Sequence, residues 1–205
     1  MDAKPKVFGI GFQKTGTTSL GLIFDKLGYK SASYHEFRDF ADRPDLQWSD
    51  VVARALSLAV ELDAAKDTPW PLLYRELDEA FPGSKFIHVT RDAEAWLRSA
   101  VRDFANHPNA IHQAIYGSPY PLGYESVWIE RYRQHNEDVA QYFANRPDDY
   151  LHLRLEDGVS FEAVCDFLGE PRVGSGVPVA NTRARKKAKM LWWRVLRKLQ
   201  PKRST

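Results

Sequence analysis

The apolar positions change period along the chain, and each change marks an element. Val7-Phe8-Gly9-Ile10 is a continuous apolar run of strand length. Gly11 to Gly16 interrupts it as a loop. From Thr17 to Lys26 the apolar residues Leu20, Ile23, Phe24 and Leu27 return near helical spacing, and Gly28 supplies the stop. Tyr29 to Ser33 predicts a short second strand. Asp50 to Ala65 predicts an amphipathic helix carrying Val51, Ala55, Leu58, Ala59 and Leu62. After the break at Asp67-Thr68-Pro69-Trp70-Pro71, a helix is expected from about Leu72 to Phe81, ended by Pro82-Gly83.

Lys85 to Thr90 reads as a strand closed by Arg91, followed by a helix from Asp92 to about Phe104. Residues 105–124 hold Pro108, Pro119, Pro121, Gly117 and Gly123 and predict a loop or lid. Glu125 to Ala144 predicts a long helix, Tyr150 to Leu155 a third strand, and Ser160 to Leu168 a helix closed by Gly169. Strand, glycine loop and helix together open a parallel α/β unit. No repeat is visible. The expectation is one α/β domain followed by a tail.

Composition narrows the class. With 43% hydrophobic and 13% aromatic residues in 205, the chain can bury a core, which excludes a disordered or collagen-like protein. One cysteine, Cys165, excludes a disulfide scaffold. The longest uncharged stretch, Phe104 to Tyr124, is too polar to cross a membrane, and no signal-peptide pattern precedes the first strand. A cytoplasmic location is expected.

Net charge of +2 conceals an asymmetry. No acidic residue follows Glu170, whereas ten basic residues lie between Arg183 and Arg203. The preceding 182 residues therefore hold 19 positive and 27 negative charges, near −8. Leu191, Trp192, Val195, Leu196 and Leu199 form a partial apolar stripe among those bases. Such a tail suits peripheral contact with an anionic membrane or packing on the domain, with its charges solvated.

The richest chemistry lies in Gly11-Phe12-Gln13-Lys14-Thr15-Gly16-Thr17-Thr18-Ser19. A helix N-terminus attracts anions, and this loop adds a glycine, a lysine and four hydroxyls. An ordinary capped turn needs one Ser or Thr, not this density of donors. The loop departs from GxxxxGK[ST], because Lys14 precedes Gly16 and Thr17-Thr18 follow it. It also departs from GxGxxG, since Lys14 stands at the third glycine. A standard kinase or ATPase loop is thereby disfavoured.

Lys14-Thr15-Gly16-Thr17-Thr18 directly after a first strand resembles the 5′-phosphosulfate loop of sulfotransferases that use 3′-phosphoadenosine 5′-phosphosulfate (PAPS). The form with Gln13 in front is similar to the carbohydrate N-sulfotransferase type. Ser19 departs from the cytosolic type, which has a tryptophan there for adenine stacking. The resemblance implies a three-layer α/β/α fold with a central parallel sheet, like that of P-loop nucleotide-binding proteins, over residues 1–182, with 183–205 as the tail. It implies PAPS as co-substrate, 3′-phosphoadenosine 5′-phosphate (PAP) as product, a hydroxyl or amine acceptor, and neither a metal nor a nucleic-acid partner.

Residue by residue, the resemblance assigns the donor to Gln13, Lys14, Thr15, Gly16, Thr17, Thr18 and Ser19. It assigns the 3′-phosphate to Arg91 and to Ser99, eight residues on, with Arg183 as a further basic contact. Arginine suits that task because its guanidinium forks onto phosphate. Weaker matches lie at Phe81-Pro82 to Trp96, Arg131 to Asn136, Leu153 to Asp157, Phe167 to Gly169 and Val177 to Thr182. Lys14 is placed on the leaving phosphate oxygen, where an ammonium offsets developing charge. For the general base, lining up Lys66-Asp67-Thr68-Pro69 with the cytosolic type puts Asp67 at the family's histidine. The carbohydrate type takes a glutamate after the second strand, where Glu36 stands. Asp67 is placed ahead of Glu36, although capping the next helix is an equally natural role for it. Two other classes stay open: a P-loop phosphotransferase, and a non-catalytic nucleotide-binding scaffold whose tail binds a membrane or polyanion.

Overall fold

The computed structural model describes residues 4–172. Five strands form one all-parallel sheet, β1 (Val7–Gly9), β2 (Ser31–Ala32), β3 (Ala64–Ala65), β4 (Lys85–Thr90) and β5 (Tyr150–Arg154), in the spatial order β2-β3-β1-β4-β5. Seven α-helices connect and cover them: α1 (Thr17–Lys26), α2 (Trp48–Val60), α3 (Tyr74–Ala80), α4 (Ala93–Phe104), α5 (Ala110–Tyr116), α6 (Glu125–Tyr142) and α7 (Phe161–Leu168). Short 3-10 turns occupy Tyr34–Phe40, Trp70–Leu73 and Leu155–Asp157.

Strand alternation sends successive side chains to opposite faces, and the two faces differ in composition. Val7, Ile87 and Val89 meet Leu20, Ile23 and Phe24 of α1 and Phe161, Val164 and Cys165 of α7. Phe8 and Phe86 meet a larger cluster that includes Phe12, Phe37, Trp70, Trp96, Trp128, Tyr132 and Phe143. Helices on both faces of a parallel sheet make the layered α/β architecture.

The sequence missed β3. The apolar spacing carries the helix through to Ala65, yet α2 ends at Val60 and Ala64–Ala65 pairs with both β1 and β2. Alanine is the best helix former, so a two-residue strand of alanines emits no strand signal. Tertiary packing decides it: both alanines are buried between neighbouring strands, and Val7 N–H donates to Asp63 O at 2.9 Å.

Residues 105–124 are not loop throughout, because α5 lies within them. Asn109 caps α5, its side chain accepting from Ile111 N (2.9 Å) and His112 N (3.2 Å), and Gly117 at φ 70° ends it. Between the break and Pro82, a 3-10 turn over Trp70–Leu73 precedes α3, so the α-helix starts later than its spacing predicts. The C-terminal tail, including Arg183, and the 182/183 boundary lie outside the described residues.

Because all strands run the same way, the segments leaving β1, β2, β3, β4 and β5 emerge at one edge of the sheet. A crevice outside the carboxyl ends of strands is where open α/β sheets bind ligands.

Candidate active site

That edge carries a cleft of about 660 Å³. Its floor is the loop after β1, which packs tightly on the sheet. A Cβ on Gly11 would stand 2.2 Å from Val89 O, so only glycine lets the chain pass β4 this closely. Gly16 adopts φ 103°, and a Cβ there would lie 2.9 Å from Leu155 Cδ1. The chain then enters α1, and Gln13, Lys14, Gly16, Thr17, Thr18 and Ser19 line the cleft. The positive end of the α1 dipole is directed at this space.

The residues predicted for the loop divide into two groups. Thr15 is fully buried, and its hydroxyl donates to Phe12 O at 2.6 Å, which places it beneath the loop rather than in the cleft. Gln13 touches the cleft but is 5% exposed, its side chain bonded on both sides: Nε2 donates to Tyr116 Oη at 2.5 Å, and Oε1 accepts from Thr68 Oγ1. Trp96 Nε1 donates to Gln13 O at 2.8 Å, fixing the backbone as well. Lys14, at φ 71°, forms an ion pair with Asp103 near the end of α4.

Arg91 follows β4 directly and lines the cleft, its Nη1 donating to Lys14 O at 3.4 Å. Tyr132 clamps the Arg91 backbone, accepting from Arg91 N and donating to Arg91 O, both at 2.8 Å. Ser99 lies two turns into α4 and lines the same cleft as Arg91. Sequence reasoning missed Arg102, which donates from Nη2 to Ser99 Oγ at 3.0 Å and also lines the cleft. The signal was there: three residues from Ser99 on a helix is the same face.

Asp67 lines the cleft from the segment after β3, half-buried at φ 72°. Its Oδ1 accepts from Thr68 N at 3.0 Å. Burial raises its pKa above the ordinary carboxylate value, against the opposing charges of Lys66 and Lys14 and a hydrogen bond from Thr17. It does not cap the next helical turn, where Pro69 holds the N-cap position. Glu36 is placed differently. Its carboxylate accepts from Ser33 N at 2.7 Å in a reciprocal capping box of the 3-10 turn, and it is not among the residues lining the cleft.

The opposite wall comprises Tyr34, Phe104, His107, Pro108, Asn109 and His112. Asn109 Nδ2 donates to Tyr34 Oη at 2.7 Å, joining the segments after β2 and α4. Of the aromatic residues nearby, Tyr116 stacks on Trp128 in the core at 3.7 Å between ring centres, and Tyr120 and Tyr124 meet each other edge-on. His88 is buried, bonded through Nδ1 to Tyr150 Oη (2.8 Å) and through Nε2 to Asn136 Oδ1 (3.0 Å). Among the described residues no His, Cys, Asp and Glu cluster is arranged to hold a metal ion, and no helix is long and apolar enough to cross a membrane.

A glycine-bearing loop at a helix N-terminus, a second basic cluster and a carboxylate thus line one cleft at one sheet edge. A family profile described as "Sulfotransferase domain" matches residues 6–122 and 100–186, most of the chain, and the chain belongs to that family. A sulfotransferase from Alicyclobacillus acidocaldarius has a similar fold, with TM-score 0.56 at 14% identity over 94% of this chain and 92% of that one. Weaker likenesses are to the mouse sulfotransferase SULT7A1 complexed with PAP (TM-score 0.49, 14% identity, 83% and 60% of the two chains) and to a gluconokinase from Sinorhizobium meliloti 1021 (0.47, 13%, 93% and 97%). No curated protein matches the sequence.

Proposed function

We propose that the chain transfers a sulfuryl group from PAPS to a hydroxyl or amine acceptor. The observation carrying this reading is the convergence on one cleft of Lys14 and the α1 N-terminus, Arg91 with Ser99, and a carboxyl group whose pKa is raised. The donor set is hydroxyls, guanidinium and ammonium at a helix N-terminus, which suits a ligand with phosphates at two ends.

The roles follow from charge. Thr17, Thr18 and Ser19 hold the 5′ end, while Arg91 and Ser99, with Arg102 beside them, hold the 3′-phosphate. Lys14 exchanges Asp103 for the oxygen that gains charge as the sulfur–oxygen bond breaks, and placing an ammonium there lowers the barrier. Asp67 takes the proton from the acceptor. Its raised pKa makes it a stronger base than a solvated carboxylate, and activity rises with pH through that value as the carboxylate forms.

The test follows ³⁵S transfer from labelled PAPS onto panels of small alcohols, phenols, sugars and amines. Asp67→Asn is expected to lower turnover by about 10²- to 10⁴-fold while PAP affinity stays within about twofold of the parent. Equal loss of PAP affinity would remove Asp67 from the base role. Transfer from ATP in place of PAPS would make the protein a phosphotransferase.

A further inference from the structure

Gln13 is buried in a loop whose other cleft-lining members are partly or fully exposed, and both ends of its amide are used inside the protein. Oε1 accepts from the Thr68 hydroxyl, and Nε2 donates to Tyr116 Oη at 2.5 Å. All three residues are almost fully buried, at 5%, 2% and 3% exposure. Thr68 is the residue after Asp67, and its backbone N–H donates to Asp67 Oδ1 at 3.0 Å. Tyr116 is the last residue of α5, locked by stacking on Trp128 and by an edge contact with Phe12. One amide thus ties the loop after β1 to the segment after β3 and to α5.

Turning that amide toward the donor would break one of these two buried hydrogen bonds. We infer that Gln13 is a positioning residue, a clasp that fixes the Asp67-Thr68 segment against the anion-binding loop, rather than a ligand to the donor. Its value for catalysis rests on the base role proposed for Asp67; its mechanical role does not. The clasp holds a carboxylate at a set depth in the cleft and makes that depth depend on α5.

The consequence is readable without any acceptor. The groups bearing on the Asp67 carboxyl are Lys66 beside it, Lys14 from the loop, Thr17 from α1, the Thr68 N–H, and the phenols of Tyr34 and Tyr116. None of these is removed when the Thr68 hydroxyl or the Gln13 amide is changed. Loosening the clasp admits water to Asp67, and water relieves the burial that raises its pKa.

The experiment uses the full chain in four forms: parent, Gln13→Leu, Thr68→Val and Thr68→Ser. Two quantities are measured: the titration midpoint of the Asp67 carboxyl by ¹³C NMR, and PAP affinity by calorimetry. Thr68→Val and Gln13→Leu are expected to move the Asp67 midpoint down toward the ordinary carboxylate value, with PAP affinity within about twofold of the parent. Thr68→Ser, which keeps the hydroxyl, is expected to recover most of the parent's midpoint. Where an acceptor is in hand, Thr68→Val lowers kcat on the order of 10- to 100-fold with little change in donor KM.

An Asp67 midpoint that stays put or rises in a folded Thr68→Val protein overturns the clasp. So does a tenfold or greater loss of PAP affinity in Gln13→Leu with the midpoint unchanged, because Gln13 would then serve the donor itself. Should Gln13→Leu fail to fold, the Thr68 pair still decides. If the parent protein binds no PAP, or Asp67→Asn keeps its turnover, the proposed function fails while the midpoint comparison stands on its own.

Discussion

On one face of the sheet, α1 and α7 lay Leu20, Ile23, Phe24, Phe161, Val164 and Cys165 against Val7, Ile87 and Val89, and nearly every contact is apolar. On the other, Trp96 stacks on Tyr132 with ring centres 4.3 Å apart, Phe12 stacks on His135 at the same separation, and Tyr116 lies on Trp128. Several of those rings carry polar atoms that bond the backbone of the segments leaving β1 and β4. Trp96 Nε1 holds Gln13 O, Tyr132 Oη holds the Arg91 backbone, and His135 Nε2 bonds Ile10 O at 2.8 Å. On the first face these apolar side chains only pack. The second packs and sets the backbone of two cleft-lining segments, so damage there should reach function as well as stability.

Acid should expose the difference most strongly. Burial lowers the pKa of His88 and His135 to about 3 and that of His112 to about 4, and all three belong to the aromatic side. Among the described residues, His112 also has a buried Nδ1 with no hydrogen-bond partner. Unfolded histidines take protons near pH 6.5, whereas the folded ones resist until pH 3–4. Stability is therefore complete above about pH 6.5 and falls as pH drops toward 4. Each histidine contributes up to about 1.4 kcal/mol per pH unit. Urea midpoints measured from pH 7 to 4.5 should decline steadily; a flat profile would show that these side chains are not held neutral.

Truncation gives the next largest contrast. Trp96→Ala is expected to cost about 3–5 kcal/mol and to weaken PAP binding, since the indole holds the Gln13 carbonyl. Ile23→Val on the other face should cost about 0.5–1.5 kcal/mol and leave PAP affinity in place. Paired denaturation and calorimetry on the two variants check this. Equal losses of affinity per unit of stability would erase the distinction between the faces.

The smallest effect tests the cleft itself. A raised pKa means the folded state prefers Asp67 protonated, so its contribution is favourable below the unfolded carboxylate pKa and is lost as pH rises through the folded value. Asp67→Asn should therefore raise the unfolding temperature at neutral pH, with the gain vanishing below about pH 4. A destabilised Asp67→Asn protein at neutral pH would mean the carboxylate is held for structure.

Much of this arrangement was legible in the residues. The glycine spacing and hydroxyl density of residues 11–19 signalled a loop of the kind that lines the cleft, because backbone strain and ligand chemistry act within a few residues. Arg91 at a strand end was equally local. The Ala64–Ala65 strand was not, since its pairing with β1 and β2 is set by burial rather than propensity. Nor was the inward turn of Gln13 and Thr15, which depends on Thr68, Tyr116 and Phe12 O. Glu36 shows the same limit. Its carboxylate is engaged in a capping box with Ser33 and is not among the residues lining the cleft. Arg102 was open to discovery from its spacing to Ser99, whereas the Lys14–Asp103 pair bridges loop and helix 89 residues apart in sequence and gave no local sign.

The central claim is that Lys14, Arg91 and Ser99 form one site for a nucleotide with a 3′-phosphate. Thermal unfolding with PAP, with ATP, and with PAP on Arg91→Ala tests it most directly. At 100 times its dissociation constant PAP should add about 2.7 kcal/mol, a rise of roughly 5–10 °C for a domain of this size. ATP should give a smaller shift, and Arg91→Ala should abolish most of the PAP effect. No shift with PAP, or a larger one with ATP, would contradict the account.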